Sequence, residues 1–222
     1  MRLPAVPGLG GWGDDPAWGV VYDATVEHPR LGRPLWRLGV GADLDRLHRA
    51  VRAVGSLPDG GRVLDVPCGG GIGLRGLRTD QEVDYLAADL SPVMLARTGR
   101  VAERLGVADR VRLLRADVAH LPLPDDHVDL VLSFTGLHCF PDPVAAVHEM
   151  ARVLRPGGML SLSTLVEDSG PRYLPLRVVG RAAGLLGPGI TQQALARELD
   201  GVGLHDVRLV RDGAMVWVTA VA

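Results

Sequence analysis

The sequence predicts an α/β protein built on a doubly wound, mostly parallel seven-stranded sheet that ends in a C-terminal antiparallel hairpin. Three observations carry this. Short runs rich in Val and Leu recur along residues 62–164 with a helical or turn segment between each pair, the rhythm of βαβ units. Two proline-primed helix starts fall in that stretch. The chain then changes pattern and closes with two strand-like runs across a tight turn.

In order, residues 1–19 are rich in Gly, Pro and Trp without periodicity and read as an irregular arm. From Leu35 the apolar positions Leu38, Leu44, Leu47, Val51 and Val54 recur at mostly helical spacing up to the breaker GSLPDGG, so a helix or helix pair precedes the first strand. The strand candidates are RVLDV (62–66), VDYLAA (83–88), RVRLLR (110–115), VDLVLSF (128–134) and MLSLST (159–164). Ser91 before Pro92, and Asp142 before Pro143, each pair a capping side chain with proline at the first helical position. The second of these helices is expected to run to Pro156 and its two glycines. Residues 165–190 break the rhythm and read as an insertion with a short amphipathic helix. TQQALARELDGVGL then forms a helix closed by glycine, and HDVRLV and AMVWVTAV form a hairpin across Arg211-Asp212-Gly213. The expected organisation is one domain over 1–222, with an arm and helical cap (1–58), a ligand-binding core (59–164), a lid insertion (165–190) and a terminal helix and hairpin (191–222).

Composition removes several functions. A formal net charge of -2 offers no basic footprint for nucleic acid. No run approaches the roughly 20 apolar residues of a membrane helix, and the opening residues lack the apolar stretch of a signal peptide, so a cytoplasmic protein without a membrane span is expected. Cys68 and Cys139 are too few for a disulfide framework, and the histidines show no metal-ligand spacing, so no metal is expected. All 24 basic residues are arginine, which excludes a phosphate-loop lysine, a Schiff-base lysine and a Tyr-Lys catalytic pair.

The chemistry concentrates in GRVLDVPCGGGIGL (61–74), where a strand ends in an acid and a glycine run. Such a corner lies where a doubly wound sheet binds its ligand, and glycine lets backbone approach that ligand closely. Gly71, Gly73 and Gly76 match a dinucleotide fingerprint, with Asp89 following Gly71 by 18 positions. The match starts late relative to the strand, and Asp65 would repel a pyrophosphate. A cationic sulfonium nucleoside fits the charges better. Asp65 could then face its ammonium, Asp89 accept from both ribose hydroxyls, and Asp117 and the Val118 N–H read adenine. Three successive strands each end in Asp, although any one of them could merely cap a turn.

The segments VLDVPCGGG, YLAADLSPVMLA, RADVAHLPLPDDHVDLVLSF and LHCFPDPVAAVHEMARVLRPGGMLSLST, in this order, resemble the class I S-adenosylmethionine-dependent methyltransferases, especially the small-molecule branch similar to quinone-biosynthesis enzymes. The resemblance covers roughly residues 20–222. It implies a Rossmann-like methyltransferase fold and S-adenosyl-L-methionine as cofactor. Asp65, Gly69 and Gly71 would hold the methionine part, Asp89 and Leu90 the ribose, and Asp117 and Val118 the adenine. Ser133 and Phe134 would line the cofactor floor, and Tyr22, in Val21-Tyr22-Asp23, would lie near the cofactor. Pro67, in the same cofactor loop, stands where the family usually has glycine. Its fixed φ and missing N–H demand a turn that tolerates both.

Methyl transfer is an in-line displacement at an activated carbon, so holding the reactants in line and excluding water are the main demands. His138, after the fourth strand, is the candidate general base; the alternative is that it only braces its loop. The aliphatics of 165–190 with Arg172, Arg177 and Arg181 hint at an apolar acceptor carrying an anionic or carbonyl group, against the plainer reading of a packing helix. The expected partner is a small-molecule acceptor, with a homodimer left open. Two other readings stand beside this one: a nicotinamide-dependent oxidoreductase, and a non-catalytic methyltransferase-like binding subunit if Pro67 blocks the loop.

Overall fold

The computed structural model describes residues 24–26 and 28–222. Its strands are β1 (Gly61–Asp65), β2 (Val83–Asp89), β3 (Val111–Arg115), β4 (Val128–Phe134), β5 (Leu154–Leu165), β6 (His205–Asp212) and β7 (Met215–Val221). They form one seven-stranded sheet in the order β3-β2-β1-β4-β5-β7-β6. The first five run parallel, and β7 lies antiparallel to both β5 and β6. Every residue of β4 is buried because helices cover both faces of the sheet there.

The helices are α1 (Pro29–Gly39), α2 (Leu44–Ala50), α3 (Pro92–Leu105), α4 (Pro143–Arg152), α5 (Leu174–Ala182) and α6 (Gln192–Gly201). Trp36 of α1, Leu44 and Leu47 of α2, and Leu95 and Val101 of α3 pack with Val63, Leu130 and Leu132 on one face. Ala146, Val147 and Met150 of α4, with Leu195 and Leu199 of α6, pack with Leu64, Val131 and Leu162 on the other. The helix starts follow their caps: the Ser91 hydroxyl accepts from the Met94 N–H, and the Asp142 carboxylate accepts from Val144 and Ala145. No helix among the described residues is long and apolar enough to cross a membrane.

The glycine corner after β1 leads into a 3₁₀ turn, Ile72–Gly76, so no long helix N-terminus faces it. One expectation needs correction: α4 ends at Arg152 rather than at Pro156, since Leu154 already pairs with Val128 and Met159 with Leu130, so the residues between them bulge out of β5. Proline cannot donate to a ladder, and Gly157 takes a φ of 80°, which together turn the chain out and back.

One arginine ties the loop after β3 to this frame. The Arg152 guanidinium donates to the carbonyls of Leu121 and Leu123 and to Glu149 and Asp125, while Glu149 also accepts from the Leu121 N–H at 2.8 Å. Those partners hold the Arg152 guanidinium above the ordinary arginine pKa. Arg152→Ala leaves two carbonyls and one Glu149 oxygen without their donor and should cost about 2–3 kcal/mol of stability, read as a lower urea midpoint at unchanged m-value.

Candidate functional site

The strand order reverses between β1 and β4, and the loops leaving the carboxyl ends of β1 to β4 diverge there around a cavity of about 500 Å³. That volume lies within the roughly 300–1,000 Å³ of sites that take compact organic ligands. Asp65, Asp89 and Asp117, ending three neighbouring strand segments, all line it, together with Pro67, Gly69, Leu90, Val118 and Phe134.

Asp65 closes β1 and is 2% exposed. The Tyr85 hydroxyl donates to it at 2.7 Å. Burial pushes the Asp65 carboxyl up to about 7, and the Asp89 charge adds to the rise while the Tyr85 bond opposes it. Gly73 is glycine because a Cβ would meet the Asp65 carboxylate at 2.5 Å and collide with the Tyr85 hydroxyl. The third glycine of the apparent dinucleotide fingerprint, Gly76, abuts the Val51 carbonyl in the same way. Both therefore serve packing rather than approach to a phosphate.

Asp89 ends β2 and grips two chains at once. One carboxylate oxygen accepts from the Gly69 N–H at 3.0 Å, the other from the Ser91 N–H at 2.9 Å. Burial raises its pKa, against the pull of those N–H groups. The Thr98 hydroxyl, from α3, donates to the Gly69 carbonyl at 2.8 Å, so the loop is held from both sides. Gly69 takes a φ of 51° with open space at its Cβ position, whereas Gly71 turns its Cα toward Thr98 and Val101 of α3. Gly71 does not line the cavity; Gly70, which the sequence reading passed over, does.

Asp117 is half exposed and caps a short turn by accepting from the Ala119 N–H at 3.0 Å. Its second oxygen stays available apart from His120 at 3.8 Å. Pro67, after a cis peptide bond, fits against Gly136, where a Cβ would overlap the proline ring; it lines the cavity without closing it. Ser133 does not line the cavity: strand alternation puts Phe134 on the site side and turns Ser133 to the opposite face, fully buried and with its hydroxyl unpartnered. Tyr22 lies outside the described residues.

His138 also departs from expectation. It is buried, does not line the cavity, and its Nδ1 accepts from the Leu165 N–H at 3.1 Å, with the Thr164 hydroxyl at 3.2 Å. A backbone N–H can only donate, so Nδ1 is the acceptor and the proton sits on Nε2. Burial lowers the ring to about 4, which keeps it neutral at pH 7. His138 ties the loop after β4 to the end of β5 and is not placed as a general base. The 165–190 insertion likewise contributes nothing to the lining; it buttresses the rim from behind, with the Gly187 N–H donating to the His138 carbonyl at 2.9 Å.

Sequence reading also missed several lining residues, among them Ile72, Met94, Thr135, Cys139 and Phe140, which follow a strand end by a few positions, and Arg115, which ends β3. No group of three or more metal-binding side chains occurs among the described residues. Asp65 and Asp89, both buried, pair with no cation of the described residues, an arrangement that suits a positively charged ligand and disfavours a pyrophosphate.

Because the folded pKa of Asp65 is raised from 3.8 to about 7, its contribution to stability is complete below about 4 and lost as pH rises through 7. Relative to Asp65→Asn, the unliganded protein should therefore lose on the order of 4 kcal/mol of unfolding free energy across that window. Parallel urea curves at several pH values check this; equal slopes for both proteins would contradict it.

Comparison with known proteins agrees with this geometry. A methyltransferase-domain family profile matches residues 64–162, which contain the glycine loop and all three acids. An uncharacterized protein of Mycobacterium tuberculosis, Rv1405c, is 33% identical over 195 residues, covering 75% of this chain and 69% of that protein. The demethylmenaquinone methyltransferase of Thermus thermophilus is 39% identical over 125 residues, 55% of each chain. Among solved structures, an S-adenosylmethionine-dependent methyltransferase from Aquifex aeolicus superposes with a TM-score of 0.63 at 22% identity, covering 93% of this chain and 98% of that one, which bears on the fold alone. The chain spans between a third and about half the length of the first curated relatives that it matches. Four sequence motifs in order, the sheet topology and the family match together show that this chain belongs to the class I S-adenosylmethionine-dependent methyltransferases.

Proposed function

We propose that the chain transfers the methyl group of S-adenosylmethionine to a small, apolar acceptor. The observation that carries this is the convergence of Asp65, Asp89 and Asp117 on one cavity, two of them buried without a counter-cation. When bound, the cofactor supplies a methyl group on a positively charged sulfur. Asp65, with Gly69 and Gly70 of the open loop, holds the ammonium end; Asp89 and Leu90 hold the ribose; Asp117 and Val118 read the adenine edge. Phe134 supplies the floor beneath the sugar.

The remaining lining, Thr135, Gly136, Cys139, Phe140 and Pro141, forms the acceptor end. It is mostly apolar, which favours an acceptor of the same character and keeps water from the reacting atoms. Among the described residues no His, Glu or Lys lines this end, which favours a reaction that rests on alignment and desolvation. Pro67 lines the cavity without closing it, which speaks against the loop blockage that would favour a purely binding role. A cytoplasmic setting remains part of this proposal.

Calorimetric titration with S-adenosylmethionine tests the reading: micromolar binding is expected, and no heat or thermal shift at millimolar cofactor would end it. Asp89→Ala removes both the diol contact and the grip on Gly69, and should weaken binding by more than about tenfold. A cation beside Asp65 favours its ionised form, so below the raised pKa of about 7 binding must expel a proton. Affinity should accordingly rise with pH through 7, with proton release shown by titrations in buffers of different ionisation enthalpy; pH-independent binding would remove Asp65 from the ammonium site.

A further inference from the structure

Two amphipathic helices remain outside the site. On α1, Leu31, Leu35 and Leu38 follow one another at helical spacing, and each is more than half exposed. Gly32 and Trp36 are the buried residues of that helix, so the leucine stripe flanks the packed seam on one side. Arg30, Arg33 and Arg37 flank it on the other. On α5, Leu174, Val178 and Val179 are likewise more than half exposed, while Gly180 is buried. Arg172 precedes α5, and Arg177 and Arg181 lie on it. Neither segment, 29–39 or 171–182, contains an acidic residue.

The residues that follow α1 and those that precede α5 meet at the edge of the sheet that bears the cavity. The Val40 carbonyl, just past α1, accepts from the Ala214 N–H at 2.8 Å in the turn between β6 and β7. Leu165 pairs with Met215, which puts that turn at the carboxyl end of β5. Gly41 abuts the Tyr173 hydroxyl, immediately ahead of α5. From the far end of α5 the chain returns through Leu186 and Gly187 to Phe140 at the cavity rim.

The charges around this face are uneven. Arg33 pairs with Asp45, and Arg177 and Arg181 both reach Glu167. Arg30 and Arg172 form no ion pair with an acid among the described residues; Arg172 lies over the Tyr173 ring, and Arg37 feels Asp43, which pairs with Arg49. A second copy seated face to face would set the arginines of both segments against one another, with Asp43, Asp45 and Glu167 already engaged within each copy. Exposed leucines and valines bordered by an excess of arginines instead match the acyl boundary and headgroups of an anionic bilayer.

We propose that the α1–α5 face docks on an anionic lipid surface, laying the cavity rim beside the membrane from which an apolar acceptor would enter. The docking does not depend on the transfer reading, since it can be measured without cofactor.

Co-sedimentation of the full chain with sucrose-loaded vesicles tests it. Binding is expected to vesicles of phosphatidylcholine mixed with phosphatidylglycerol, weakened by salt, and at most weakly to phosphatidylcholine alone. The combined substitution Leu35→Gln, Leu38→Gln and Val178→Gln, and separately Arg30→Gln, Arg37→Gln and Arg172→Gln, should each reduce it by about tenfold or more while leaving the thermal melt unchanged. Vesicle binding that neither combination alters would place docking on another surface and overturn the proposal. Absence of binding to the anionic vesicles would overturn it too. Sedimentation velocity that shows a dimer abolished by the apolar substitutions would assign the face to a second copy and overturn the proposal, whereas a monomer that binds the anionic vesicles supports it.

Discussion

The site depends on one carboxylate. Asp89, fixed at the end of β2 by the sheet, holds the loop after β1 through the Gly69 N–H and the entry to α3 through the Ser91 N–H. Apart from that grip the glycine loop is held by the Thr98 hydroxyl on the Gly69 carbonyl and by the Cys68 N–H on the Ala88 carbonyl, neither of which fixes the Gly69 N–H. Pinning such a loop offsets its conformational entropy before any ligand arrives, which is the condition for tight binding by a bare peptide. The cost is a carboxylate taken out of water, and its raised pKa records that cost.

Asp65 takes the same logic further. Its side chain is buried beside Tyr85 and Cys68, both themselves pushed up in pKa by burial, so nothing nearby neutralises it. A hydrophobic residue of similar size would fold better at this position. Retaining an acid there makes sense where a bound cation completes the electrostatics, and a protein with such an unfinished site gains stability when its ligand binds.

Much of the frame was legible because it is written locally. The strands were readable as runs of Val and Leu, and Ser91-Pro92 and Asp142-Pro143 marked helix starts to the residue, since cap and proline act within one turn. The three acids were readable because a strand end is a local event and the sheet brings neighbouring ends together. What failed was the direction of side chains. Gly71 sits in the right loop but faces α3; Ser133 sits on the right strand but on its other face. His138 follows the right strand, yet its ring is captured by Leu165, 27 positions away, a partner that no local pattern announces. The insertion was correctly placed as an amphipathic helix, but whether it roofs the cavity or buttresses it is decided by long-range packing alone. The bulge at Pro156 was misread because a proline and two glycines end a helix and interrupt a strand with the same residues.

Pro67 and Gly136 press against each other across the cavity mouth, the ring of one filling the place where the other's Cβ would stand. Their substitution histories are therefore coupled. While proline remains at 67, any side chain at 136 is barred; a lineage must first exchange Pro67 for something smaller before 136 can vary. Descendants of this chain are thus expected to change the pair in a fixed order, a case of epistasis imposed by two touching atoms rather than by the reaction itself.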